Sequence, residues 1–223
     1  MPASPTLSVL ILAGGRSRRM GQDKALLSAG DGRSLLHKTA QVAQQLTPEV
    51  QVMTPWPERY GSAVPPGVKL IQERVAKKSV RGPLVGFSQG WEQISSDWCL
   101  LLACDLPYLE AAVLERWWQW LAVQLAQSQA PPAQPMASLT TGVKGWEPLC
   151  GYYHRRCAPG LLRYLAEGES VAMDARGDRN PFVNRTRSFQ TWLKSLPIAT
   201  YNAVPRRMLF NCNTPDDWAA VTL

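Results

Sequence analysis

Apolar residues along this chain follow two rhythms. Four short runs, Leu7–Ala13, Val50–Thr54, Val68–Gln72 and Trp98–Ala103, are mainly apolar. A strand with one wet face alternates polar and apolar positions, whereas a strand covered on both faces need not, so the runs predict strands and the unbroken Cys99–Cys104 a central one buried on both faces. The segments between them repeat instead at three and four residues. Leu35, Leu36, Ala40, Val42, Ala43 and Leu46 form one such stripe within Ser34–Leu46. Leu84, Phe87, Trp91 and Ile94 form another within Pro83–Ile94, where Pro83 sits in the first turn. A third helix, Glu110–Ala126, carries Leu114, Trp117, Trp118, Leu121 and Leu125. Buried strand alternating with amphipathic helix predicts a three-layer α/β/α arrangement around a mostly parallel sheet. The tryptophans of the third helix, at helical spacing, are expected in the core rather than on a stacking platform for nucleic acid.

Beyond residue 127 the pattern weakens. Ser128–Pro135 is a proline-rich connection, and Met136–Thr141 and Leu149–His154 predict strands. Ala158–Glu167 predicts a helix ended by Gly168, and Arg176–Arg187 a polar, basic, mobile loop. Met208–Phe210 reads as a last strand. Thr214, Pro215, Asp216 and Asp217 then open a final helix, with Thr214 as N-cap, proline at the first position and two acids in the first turn.

The chemistry is concentrated where strands end. After Leu7–Ala13 the chain breaks at Gly14 and Gly15, carries Arg16, Arg18 and Arg19, breaks again at Gly21 and reaches Lys24. Glycines let backbone N–H groups approach phosphate oxygens, while Arg offers planar forks and Lys a point charge. This turn matches neither the dinucleotide-binding G-x-G-x-x-G nor the G-x-x-x-x-G-K-[ST] phosphate loop. At the end of the fourth run stands Cys104-Asp105-Leu106-Pro107. A carboxylate beside a polyphosphate is repelled unless a cation lies between them, so Asp105 is expected to bind Mg²⁺. Glu73 closes the third run, ahead of Arg74, Lys77, Lys78 and Arg81. It is either an acceptor for a base or ribose, or a surface acid paired with its basic neighbours.

Composition narrows the classes. The 223 residues carry a net charge of +7 and 45% apolar residues, enough for a substantial core and suited to anionic partners. The densest cations are tied to glycine turns and strand ends, not laid along a helix among aromatics, which argues against a nucleic-acid module. No apolar run approaches the roughly 20 residues that cross a bilayer, and the start of the chain does not look like a signal peptide. Five cysteines without a C-x-x-C pair, and two histidines, His37 and His154, argue against a zinc cluster. They suit a reduced, cytoplasmic setting. No Ser/His/Asp or Cys/His arrangement emerges. A reaction whose nucleophile is already an anionic phosphate needs charge neutralisation and in-line positioning instead.

The blocks LAGGRSRRMGQDK at 12–24, RGPLVGF at 81–87, CDLP at 104–107 and FNCNTPDD at 210–217 resemble the molybdenum cofactor guanylyltransferases. These are nucleotidyltransferases of the nucleotide-diphosphosugar-transferase fold, a Rossmann-like α/β architecture. The resemblance implies one domain over residues 1–223, with a nucleotide-binding half (1–110) and a cofactor-binding half (111–223). It implies transfer of GMP from GTP to the molybdopterin form of the molybdenum cofactor, with Mg²⁺ and release of pyrophosphate. Cofactor-delivery proteins and molybdoenzyme chaperones are implied as partners; membrane and nucleic acid are not. Carried over, Leu12, Ala13 and Gly14 would contact the guanine nucleotide, and Gly15, Arg19 and Lys24 its phosphates. Glu73 would add to the GTP site, Asp105 would bind Mg²⁺, and Asn211 and Asn213 would lie on the cofactor side. Cytidylyltransferases of the same fold carry LAA where this chain has LAGG, and the smaller residue at 14 leaves room for a purine. A cytidylyl- or sugar-1-phosphate nucleotidyltransferase is the alternative.

Overall fold

The computed structural model describes residues 5–15, 17, 20–29, 31–74, 82–128, 134–143, 145–171 and 188–221. Strand β1 (Leu7–Leu12) leads through a one-turn 3₁₀ helix (Lys24–Leu26) and a small antiparallel ribbon, β2 (Ser28–Ala29) and β3 (Arg33–Ser34), into helix α1 (Leu35–Gln44). Next come β4 (Val50–Thr54), α2 (Pro57–Tyr60), β5 (Lys69–Gln72), α3 (Pro83–Trp91), β6 (Trp98–Ala103) and α4 (Ala111–Gln127). The remainder is β7 (Ala137–Gly142), β8 (Gly145–His154), α5 (Cys157–Val171), α6 (Phe189–Leu193), β9 (Ile198–Thr200), a 3₁₀ turn (Arg206–Leu209) and α7 (Pro215–Ala219). One seven-stranded sheet, ordered β5-β4-β1-β6-β8-β7-β9, runs through both halves. Its first four strands are parallel; β8 is antiparallel to β6 and to β7, and β9 is parallel to β7.

The continuous apolar strands are explained by layers on both faces. Val9, Ile11, Leu100 and Leu102 pack against Leu36 and Ala40 of α1 and Leu114 and Trp117 of α4. Leu10, Cys99 and Leu101, one residue out of step, pack against Phe87 and Trp91 of α3, Leu161 of α5 and Trp192 of α6. Helix α3 approaches β1 closely, since a Cβ on Gly90 would collide with the Leu10 methyls. Ser34 caps α1 by accepting from the His37 N–H. At α7 the expected cap is a full capping box, in which Thr214 and Asp217 satisfy each other's backbone N–H groups.

The weaker patterns produced the differences. Met208–Phe210 is not a strand: Arg206–Leu209 forms a 3₁₀ turn that buries Met208. The last strand is Ile198–Thr200, whose three residues are too few to show a rhythm. Helix α5 continues through Gly168 to Val171, because an internal glycine costs only about 1 kcal/mol relative to alanine and does not stop a helix. Strand β8 starts at Gly145, ahead of the expected Leu149, where a positive φ of 101° turns the chain back from β7. Arg16, Arg18, Arg19, Lys77, Lys78, Arg81, much of the proline-rich connection and the basic loop Arg176–Arg187 lie outside the described residues.

Candidate active site

From β1 the chain moves outward through β4 to β5, then returns across β1 to β6. The turns leaving β1 and β6 therefore diverge from adjacent strands, paired as far as Leu12 opposite Ala103, and leave a crevice between them. Lys24 and Asp105 meet there. The Lys24 ammonium donates to Asp105 Oδ2 at 2.6 Å and to Asn213 Oδ1 at 3.0 Å. Three distant stretches of sequence thus converge on one nitrogen. The two charged side chains are only 16% and 12% exposed, so water screens them far less than it screens a surface pair.

Each partner is held from behind. Asp23 Oδ1 accepts from the Ala25 N–H at 3.1 Å, and Asp23 Oδ2 accepts from the Tyr60 hydroxyl at 2.6 Å. This caps the 3₁₀ turn that aims Lys24. Burial, and then the Asp23 carboxylate, push the Tyr60 phenol well above its ordinary range, so it remains a donor. Ser17, at φ 46°, accepts at Oγ from the Lys24 N–H and at its carbonyl from Met20 and Gly21. The Cys212 N–H donates to the Asp105 carbonyl at 3.2 Å, and Asp217 accepts from the Asn213 N–H at 2.8 Å. Met20, Leu27, Leu35 and Cys212 bury a small apolar cluster beneath the turn. Cys104 lies beside the pair; burial first and Asp105 second raise its thiol, which stays neutral.

A cleft of about 840 Å³ opens over these strand ends, lined by Leu12, Ala13, Gly14, Gly15, Lys24, Glu73 and Asp105 among others. It extends from the end of β5 to the turn after β6, three strand spacings or about 14 Å. At the β5 end the Glu73 carboxylate stands between two glycines. A Cβ on Gly14 would lie 2.9 Å from Glu73 Oε2 and 3.1 Å from Pro55, and one on Gly86 would lie 3.8 Å from Glu73 Oε1. Gly14 is therefore small because the Glu73 carboxylate and Pro55 already fill the space a side chain would need. Asn211 does not reach Lys24; its amide donates to the Leu209 carbonyl at 3.1 Å. Arg19 lies outside the described residues.

Asp105, 9% exposed, is a hard oxygen donor that already carries one cation, the Lys24 ammonium. Among the described residues no three His, Cys, Asp or Glu side chains gather as a metal cage. A single shielded carboxylate suits a small hard cation that takes its other ligands from phosphate and water. Tyr60, Trp56 and Pro55, which lie outside the motifs, also line the cleft, as does Ser17 within the glycine turn. The proline pair around Trp56, directly after a strand, is the one local signal that marks part of that set.

A cleft of nucleotide length, a glycine turn and a shielded lysine–aspartate pair at a switch point define a phosphate-handling α/β enzyme. The model of the MobA-like NTP transferase domain matches residues 9–180, and the chain belongs to this family of nucleotidyltransferases. A relative named probable molybdenum cofactor guanylyltransferase, from Nostoc sp., is 40% identical over 215 residues, covering 96% of this chain and 90% of the relative. One of the same name from Synechococcus elongatus is 37% identical over 216 residues, covering 97% and 98%. Molybdopterin-guanine dinucleotide biosynthesis protein A from Archaeoglobus fulgidus shares the fold, with a TM-score of 0.63, 21% identity and 95% of both chains covered. So does Rv0371c from Mycobacterium tuberculosis in complex with manganese, with a TM-score of 0.58, 15% identity and 96% of both chains covered.

Proposed function

We propose that this chain transfers GMP from GTP to the terminal phosphate of the molybdopterin form of the molybdenum cofactor. An oxygen of that phosphate attacks the α-phosphorus of GTP, forming a new phosphoanhydride. The bond from the α-phosphorus to the α,β-bridging oxygen breaks, and its electron pair leaves on pyrophosphate. The observation that carries this reading is the meeting of Lys24, held by Asn213, with Asp105 in the lining of a nucleotide-length cleft. The names of the relatives support guanine and molybdopterin as the two partners.

The backbone of Leu12, Ala13 and Gly14 lies under the nucleoside, and Gly15, Lys24 and Arg19 hold the phosphates. Glu73 accepts hydrogen bonds from the N1–H and 2-amino group of guanine, an edge that cytosine lacks. Asp105 would hold Mg²⁺, which when bound neutralises charge on the phosphates. The Lys24 ammonium, held by Asn213, stabilises the charge that develops as pyrophosphate departs. No general base is needed, because the attacking phosphate is already ionised. Asn211 and Asn213 border the side from which the second substrate arrives. We further propose a single domain of two halves working in the cytoplasm, receiving its cofactor from delivery proteins and passing it to molybdoenzyme chaperones. Five free cysteines agree with such a setting, and no helix among the described residues is long and apolar enough to cross a membrane.

Pyrophosphate release from GTP, dependent on both molybdopterin and Mg²⁺, is the expected result. Faster turnover of CTP on molybdopterin, or of either nucleotide on a sugar 1-phosphate, would overturn the assignment.

A further inference from the structure

We propose that Gln89 is a positioning residue for nucleobase selection. By clamping the backbone of Arg74 onto α3, it sets where the Glu73 carboxylate stands. The proposal deepens the assignment of Glu73 to guanine and rests on it.

The Arg74 N–H donates to Gln89 Oε1 at 2.7 Å, and Gln89 Nε2 donates to the Arg74 carbonyl at 3.0 Å. One side-chain amide thus takes both backbone groups of Arg74, as a neighbouring strand would. Beyond it, the Arg74 guanidinium donates to Glu92 Oε2 at 2.5 Å. On the other side, the Glu73 N–H donates to the Thr54 carbonyl at 2.7 Å and continues the ladder to β4. Glu73 is therefore held in front by α3 and behind by β4.

Helix α3 is a rigid anchor. Leu84 and Phe87 are buried in the core, and Gly90 lies against Leu10. Gly86, one turn before Gln89, forms the wall 3.7 Å from the Glu73 carboxyl carbon, measured from the position of an added Cβ. The same helix supplies the wall and the clamp, so backbone slack at Arg74 would shift the carboxylate against a fixed wall. A misplacement near 1 Å is enough to weaken a bidentate contact. If Gln89 merely tied down a strand end, its loss would lower stability and leave nucleobase preference alone.

The test compares kcat/KM for GTP and ITP, because hypoxanthine keeps N1–H and lacks the 2-amino group. Gln89→Ala, isosteric Gln89→Met, Glu73→Gln and the double variant Glu73→Gln/Gln89→Ala are measured, with Tm for each. Glu73→Gln should lower the GTP:ITP preference about tenfold and Gln89→Ala about threefold, with the double variant no lower than Glu73→Gln. The proposal falls if both Gln89 variants keep the wild-type preference, or if the Gln89 effect adds in full to that of Glu73→Gln. If Glu73→Gln itself leaves the preference unchanged, the reading of Glu73 fails and this one with it. A shift in Glu73→Gln alone rejects only the role of Gln89.

Discussion

The parallel and antiparallel parts of the sheet use their polar groups in opposite directions. Beyond the ends of β5, β1 and β6 the chain turns its polar side chains outward: Glu73, Lys24 and Asp105 all border the cleft. In β8, β7 and the helix packed on them, polar groups turn inward. Trp117 Nε1 donates to Ser138 Oγ, the Tyr152 hydroxyl to the Leu114 carbonyl and the Tyr153 hydroxyl to the Pro148 carbonyl, each at 2.8 Å. Burial raises both phenols well above their ordinary range. Trp117 stacks on Tyr201 at 5.2 Å and meets Tyr152 edge-on. Parallel strands all finish at one edge, so whatever each carries at its end accumulates there. Antiparallel strands divide their ends between two edges and serve here as a buttress.

If that division holds, changes at the parallel edge cost activity and changes in the buttress cost stability. The largest effect should come from Lys24→Ala or Asp105→Asn, each lowering kcat by roughly 10²–10³-fold with the fold retained. Single-turnover kinetics beside circular dichroism would check this; wild-type rates in either variant remove that residue from the reaction.

Gly14→Ala sharpens the picture at the other end of the cleft. The added methyl must displace the Glu73 carboxylate or Pro55. The expected loss is about tenfold in kcat/KM for GTP, with kcat falling less. An unchanged GTP:ITP ratio would show that the two positions do not communicate.

In the buttress, Tyr152→Phe should cost about 1 kcal/mol of unfolding free energy in urea and leave turnover within twofold. A large loss of activity there would break the comparison.

The smallest effect concerns pH. His154 is pulled down to about 4, first by burial and then by Arg156, and its Nδ1 accepts from the Arg156 N–H and Nε at 3.1 and 3.2 Å. The unfolded chain takes up this proton near pH 6.5 and the folded one near 4, so stability falls as pH drops between those values. His154→Gln should flatten that slope in Tm, measured between about pH 7 and pH 4.5. The slope of turnover against pH should stay as it is, since His154 lies away from the cleft.

Much of this was legible in the chain. Val50–Thr54 and Trp98–Ala103 form strands over those residues, and α1, α3 and α4 lie within two or three residues of the stripes that predict them. Thr214-Pro215-Asp216-Asp217 announced α7 because capping is local chemistry. The later elements were harder. Ile198–Thr200 is short, and Met208–Phe210 is as apolar as a strand although the chain there forms the 3₁₀ turn Arg206–Leu209. Around the site, Lys24 and Asp105 were visible as residues, and the glycine at 14 as a special position. The Tyr60–Asp23 hydrogen bond and the Gln89 clamp were not, because residues 37 and 15 positions apart leave no periodic trace.

By itself the sequence determined the layered α/β plan, the phosphate-suited turn and the carboxylate after the fourth long strand. Burial on two faces and tight turns leave marks in consecutive residues. Tertiary structure alone decided that Lys24 meets Asp105 and Asn213, and that Glu73 stands between Gly14 and Gly86. Those contacts depend on strand order and on how closely helix approaches sheet, and neither is written in any local stretch of the chain.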